Sequence, residues 1–345
     1  MTTSIVVIDP HDEAVFGSWY AAYKAALDAA VGAEEAAVFE HDELAEQWRR
    51  QPTAMRATGW ATYDGDELVA VGALVLPQLD NLDSAFVEVA VAPAHQGRGH
   101  GRAMLAHVEA AAAAAGRTRL TSELRYRFEH GATGHDGGGS RDVRFAEAAG
   151  YALALGDVQR WLDLPVEDAP LEELAAEAAE RHGAYELRSW VGPVPDELAE
   201  GWAALDGSLT TEAPMGELEH EPMQVDVARL REQEESVERQ GRTTYHSVAL
   251  APDGDLVAYS LLVQGAQSTT AYQWGTLVRR DHRGHRLGLA VKVANLRLLQ
   301  AERPDATRVS TFNAEVNDHM VAVNARLGFR PVSRLGELQK RVAPR

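Results

Sequence analysis

The 345-residue chain contains no cysteine, and only three of its 33 basic residues are lysines, Lys24, Lys292 and Lys340. Without cysteine there is no cysteine acyl-enzyme, no disulfide and no thiolate metal site. No glycine-rich stretch leads into Lys-Ser or Lys-Thr, which excludes a P-loop. No run approaches the ~18 apolar residues that a membrane span needs. The opening MTTSIVVIDP lacks the basic and apolar regions of a secretory leader, so a soluble, cytoplasmic protein is expected. Base is also scarce relative to acid. The net charge is −19, and nucleic acid is not expected as a partner because it needs a broad basic surface.

What the chain does have is a glycine turn. In VAPAHQGRGHGRAML, residues 91–105, the residues Gln96, Gly97, Arg98, Gly99, His100 and Gly101 follow a strand-like alternation, AFVEVAV, and precede a helix-like run rich in Ala, Leu and Met. A strand, a glycine turn and a helix N-terminus together form an anion site, since the first amides of a helix are free and carry partial positive charge. A dinucleotide turn is excluded: three antiparallel-looking strands precede this one, and GRGHG has different spacing.

The turn has a second copy in QWGTLVRRDHRGHRLGLAVKVANLRLL, where Gln96 lines up with Arg283 at an offset of 187 residues. Gly97 then meets Gly284, His100 meets Leu287 and Gly101 meets Gly288. The flanks repeat as well. Each half has a first strand (SIVVID; AYELRSW), helical segments, and three strands with Asp-Gly turns at Asp64-Gly65 and Asp253-Gly254. Each then has the turn, a helix, a short strand (TRLTSEL; TRVSTFN) and a late helix ending at Gly150 or Gly328, a glycine-capped stop. The expected fold class is α+β (α/β): two domains, 1–164 and 185–345, each a mixed, mostly antiparallel sheet flanked by helices, joined by an acidic helical linker over 165–184.

This order of elements, with Gln/Arg-x-x-Gly-x-Gly opening a helix, resembles the GNAT superfamily of acyl-CoA N-acyltransferases. Gln96 to Gly101 match its signature in full; His282 to Gly288 match it with Arg286 in place of the middle glycine. The resemblance covers nearly the whole chain as a tandem pair. It implies acetyl-CoA as co-substrate, with the pyrophosphate on the amides of Gly97 to Arg102 and the pantetheine arm along Val89 to Val91. In the second half it implies Leu277 and Val278 for the arm, and Arg283, Gly284, His285, Arg286, Leu287 and Gly288 for the pyrophosphate. Asn313 and Asn317 would contact pantetheine or cap the late helix.

Many enzymes of this superfamily use a glutamate on the strand before the turn as base and a tyrosine on the late helix as acid. Glu88 matches the first of these, while Gly275 takes its place in the second half. The tyrosine's place is held by Ala146 and by Asn324. Glu88, Glu315 and Asn324 are therefore the candidate catalytic residues, with proton return left to water or a nearby His or Tyr. The more complete late-helix region, TFNAEVNDHM, favours the second half for chemistry. The acidic stretch with Glu217, Glu219 and Glu221 is expected to border an acceptor pocket there. His130, His135 and Asp136 lie in a glycine-rich stretch, expected to be mobile, without metal-site spacing; no metal is expected. The expected activity is transfer of acetyl to the amine of a small molecule, a metabolite or antibiotic, by direct attack in a ternary complex, in a monomer or homodimer. A mycothiol-synthase-like activity and a non-catalytic acyl-CoA-binding sensor or scaffold are the alternatives.

Overall fold

In the computed structural model, which describes residues 3–128, 139–221 and 223–343, the elements follow the repeat. The first half runs β1 (Thr3–Val7), α1 (Glu13–Val31), α2 (His41–Arg49), β2 (Met55–Asp64), β3 (Glu67–Pro77), β4 (Ser84–Val91), α3 (His100–Ala114), β5 (Arg119–Tyr126), α4 (Arg141–Ala148) and β6 (Ala152–Asp163). After α5 (Asp168–His182) come β7 (Glu186–Val191), α6 (Asp196–Gly207), α7 (Leu209–Glu212), α8 (Val227–Arg239), β8 (Arg242–Leu250), β9 (Leu256–Gly265) and β10 (Thr270–Val278). The chain ends with α9 (Leu287–Glu302), β11 (Arg308–Ala314), α10 (Asp318–Leu327) and β12 (Arg330–Arg341). Among the described residues no helix is long and apolar enough to cross a membrane.

The chain forms two compact units, and neither is one contiguous stretch. One unit holds Met1–Asp157, Gly216–Glu221 and Val332–Arg345; the other holds Val158–Met215 and Pro222–Pro331. In the first unit the strand order is β1-β2-β3-β4-β5-β12, with the start of β6 beside β12. Strands β1 to β4 are antiparallel neighbours. α1 and α2 cover one face through Phe16, Trp19 and Trp48, and α3 covers the other through Met104 and Val108. Gly72 on β3 allows this approach, because a Cβ there would lie 2.7 Å from the Met104 sulfur. Burying such a side chain contributes roughly 1.5–3 kcal/mol. Asp12 caps α1, its carboxylate accepting from the amides of Ala14 and Val15.

The second unit repeats the pattern with β7-β8-β9-β10-β11 and the end of β6 beside β11. α6 and α8 pack one face through Trp202 and Leu230. On the other face Leu289, Val293 and Leu296 of α9 share a core with Leu171 and Ala178 of α5.

Each unit thus takes a strand from the other sequence half. β12 pairs antiparallel with β5 over eight residues, from Arg334 opposite Tyr126 to Arg341 opposite Arg119. The acidic segment with Glu217, Glu219 and Glu221 belongs to the first unit, although the sequence places it in the second half. The Glu217 amide donates to the Ala154 carbonyl, the Glu219 carboxylate is held by Arg341, and Glu221 Oε2 accepts the Asn81 amide at 3.1 Å.

Candidate active site

The site begins where two strands part. β4 pairs in parallel with β5 over only three residues, Ser84 to Phe86 against Arg119 to Thr121. Beyond that point Val87 to Val91 and Ser122 to Arg125 face each other across a cavity of about 420 Å³. A strand that leaves its neighbour exposes backbone groups that need other partners. β10 and β11 part in the same way after Thr270 to Tyr272.

At the end of β4 the glycine turn wraps the cavity's mouth. Gly97 and Gly99 have φ of 78° and 92°, a left-handed conformation that costs other residues about 1–2 kcal/mol. A Cβ on either would have no neighbour within 4 Å, so the space above the turn is open. The first backbone bond of α3 is Ala103 N to the Gly99 carbonyl at 3.1 Å, which leaves the amides of His100, Gly101 and Arg102 without helical partners. Gln96 Nε2 donates to the Val91 carbonyl at 3.0 Å, tying the turn to the strand. Its Oε1 accepts from Arg141. Arg98 and Arg102 are exposed, and among the described residues neither has an acidic partner.

The second turn keeps the same frame, and a Cβ on Gly284 would likewise have no neighbour within 4 Å, but the side chains around it are engaged by acids of the chain. Arg283 Nε donates to the Val278 carbonyl at 3.3 Å, the counterpart of the Gln96 bond. Arg286 takes a left-handed φ of 56°, and its guanidinium is 2.7 Å from the Glu177 carbonyl and 3.0 Å from the Glu177 carboxylate on α5. Glu177 also binds Arg326, and these cations hold its carboxyl below the usual range. His285 Nδ1 lies 3.3 Å from the Arg181 carbonyl. Arg283 and Arg280 share Glu212, and Arg279 pairs with Asp255 and Asp281. Leu287 is 1% exposed, and Gly288 is buried.

Glu88 lies at a junction. It lines the cavity beneath the first turn and also a second cavity of about 360 Å³ between α1, α2 and the sheet. Tyr23, Leu27, Glu123 and Arg125 line both as well. Burial pushes the Glu88 carboxyl up to about 7, against the opposing pull of a hydrogen bond from Tyr23 and the charge of Arg125. Burial raises Glu123 and, joined by the Glu88 charge, lifts the Tyr23 hydroxyl well above its ordinary value. Glu337 on β12 stands directly opposite Glu123; burial, with Asp157 and Glu123 nearby, pushes it up to about 8.

In the second half the remaining candidates form a different group. Asn324 is 0% exposed, and its Nδ2 donates to Asn313 Oδ1 at 2.6 Å. Asn317 caps α10, accepting the Met320 amide at 3.2 Å. Glu315 lies half-buried between β11 and α10. The Asn324–Asn313 bond ties the late helix to its strand. At Gly275, a Cβ would lie 2.7 Å from the Tyr259 hydroxyl, which donates to Asp206 at 2.9 Å. A phenol–carboxylate pair therefore occupies the place aligned with Glu88. Lys292 is 2% exposed and donates to Gln273 at 2.9 Å; burial brings its amine down to about 7.

Sequence reasoning did not single out Tyr23, Glu123 or Arg125. Tyr23 follows Trp19 by one helical turn in WYAAYKAA and reads as core; Glu123 and Arg125 alternate on TRLTSEL and its continuation, a pattern shared with any half-exposed strand. His130, His135 and Asp136 lie outside the described residues. Among those described, no group of three or more His, Asp or Glu is placed to hold a metal ion.

A sheet whose central strands part over a glycine turn at a helix N-terminus is present twice. Part of the chain carries the GNAT acetyltransferase family's profile, and its whole length resembles a tandem GNAT protein. The profile of the "Acetyltransferase (GNAT) family" matches residues 19–132. Among solved structures the chain is similar to a tandem GNAT protein from the clavulanic acid biosynthesis pathway, at 27% identity over 100% of both chains with a TM-score of 0.78. It shares its fold with a GCN5-related N-acetyltransferase from Sphaerobacter thermophilus, at 17% identity over 99% of this chain and 96% of that one, TM-score 0.64. No curated protein sequence matches it.

Proposed function

We propose that the first unit transfers an acetyl group from acetyl-CoA to the amine of a small molecule in a ternary complex, with Glu88 as base. The observation that carries this reading is the meeting of two cavities at Glu88: one lies beneath the first glycine turn, the other is lined by α1 and α2. The residues present suit CoA. Free first-turn amides, open space over Gly97 and Gly99, and the exposed cations of Arg98 and Arg102 match a pyrophosphate. The parted edge of β4 at Val89 and Val91 offers backbone groups to an amide-bearing arm.

Bound acetyl-CoA supplies the activated acyl carbon. Glu88 accepts a proton from the incoming ammonium, directly or through one water, so that the nitrogen lone pair forms the new C–N bond as the C–S bond breaks. The second proton lost by the nitrogen balances the one the departing thiolate needs, and Glu88 returns its own to solvent. A carboxyl brought to about 7 by burial is suited to this role, since it can take up and release a proton near neutral pH. The Tyr23 hydroxyl, hydrogen-bonded to Glu88, orients the carboxylate.

This reading moves the chemistry from the second half, which the late-helix sequence favours, to the first. In the second half the arginines that would meet phosphates, Arg283 and Arg286, are paired with Glu212 and Glu177. Free-thiol release from acetyl-CoA with a panel of primary amines tests the proposal: release is expected, and binding of acetyl-CoA without release by any amine contradicts it.

A further inference from the structure

The second cavity at Glu88 combines rings with acids at its junction with the first cavity. Its walls include Trp19, Trp48, Phe39 and Phe86 together with Glu88, Glu123 and Arg125, and Gln47 and Gln51 line it on the α2 side. The aromatic wall is fixed in place. Trp19 and Trp48 pack with ring centroids 4.9 Å apart, Trp19 stacks on Tyr23 at 5.3 Å, and Trp19 Nε1 donates to the Trp60 carbonyl at 3.0 Å. Phe39 is 41% exposed and forms part of the rim.

Resting on the reading of the first unit as the acyltransferase site, we propose that its acceptor is a primary amine carried on a flat aromatic body, entering as the ammonium ion. Glu88 and Glu123 receive the ammonium, and the body lies against the Trp48 and Phe39 walls. An entering ammonium favours the ionised forms of Glu88 and Glu123, so the pair of acids and the cation attract one another. The remaining walls reward apolar surface at ~25 cal/mol per Å² and penalise a second unpaired charge. A polyamine or aminoglycoside would have to seat further ammonium groups against rings. The volume of about 360 Å³ is near the lower end of ligand pockets, roughly 300–1,000 Å³, and suits a single ring system rather than an oligosaccharide.

The test compares 2-phenylethylamine, tryptamine, spermidine and kanamycin as acceptors for the full chain with acetyl-CoA, read as free-thiol release. The aryl amines are expected to show kcat/KM at least tenfold above spermidine and kanamycin. Equal or better turnover of either polycation overturns the inference while leaving the acetyltransferase reading intact; no release with any of the four removes both. Trp48→Ala is expected to raise KM for tryptamine at least tenfold without changing KM for acetyl-CoA. Because Trp48 is also core, Phe39→Ala at the exposed rim is the companion variant, with at least a threefold rise expected. An unchanged tryptamine KM in Phe39→Ala overturns the placement of the aromatic body.

Discussion

At the scale of single residues, two carboxyls on neighbouring strands set the pH behaviour. Glu88 acts only when ionised, and burial holds it near 7, so kcat/KM is expected to climb tenfold per pH unit below 7 and to level off above it. Glu88→Gln is expected to lower kcat by about 10²-fold, the typical worth of a positioned base, and to abolish that inflection; a steady-state pH series on both proteins checks this. Glu337 has no substrate role here, and its effect falls on stability. Its folded carboxyl is raised to about 8 from about 4.5 unfolded, so the folded state binds more protons between those values and stability falls as pH rises through that window. Glu337→Gln is therefore expected to raise Tm more at pH 8 than at pH 5, as thermal melts at the two pH values will read.

At the scale of elements, the two turns use one frame for opposite ends. Gln96 and Arg283 each tie the turn to a strand carbonyl five residues earlier, but in the second the arginines of the turn are paired with Glu177 and Glu212. The pair Tyr259–Asp206 has settled in the second unit's counterpart of the Glu88 position, and the glycine there is what admits it. Gly275→Ala is expected to force the Tyr259 hydroxyl from a Cβ placed 2.7 Å away, destabilising by about 1–3 kcal/mol while leaving KM for acetyl-CoA unchanged; denaturant unfolding and steady-state kinetics measure both. The turns themselves were readable in the sequence because glycine spacing after an alternating strand is a local signal. Whether a turn is free was not readable: Glu177 lies on α5, more than a hundred residues before Arg286, and looks like one more acid in an acidic helix. Tyr23 was hidden for a similar reason, since an aromatic one turn from Trp19 carries the same pattern whether it faces core or cavity.

At the scale of the whole molecule, the sequence repeat and the compact units are different divisions of the chain. The alternation in β6 and β12 marks both as strands but carries no information about which edge each one joins, because pairing depends on partners distant in sequence. Hence the duplicated order of elements was legible, and the exchange of terminal strands was not. Because β12 covers β5 along eight residues, ending the chain at Pro331 is expected to unfold the first unit although the deletion lies in the second half. Loss of acetyl-CoA binding together with exposure of Trp19 and Trp48 fluorescence to solvent would be its signature.

The central claim, that acetyl-CoA is held by the turn of the first unit and not by the acid-paired turn of the second, is tested most directly by calorimetric titration of the full chain with acetyl-CoA. One site per chain is expected, lost in Gly99→Glu and retained in Gly288→Glu. Two sites per chain, or one that survives Gly99→Glu and disappears in Gly288→Glu, would contradict it.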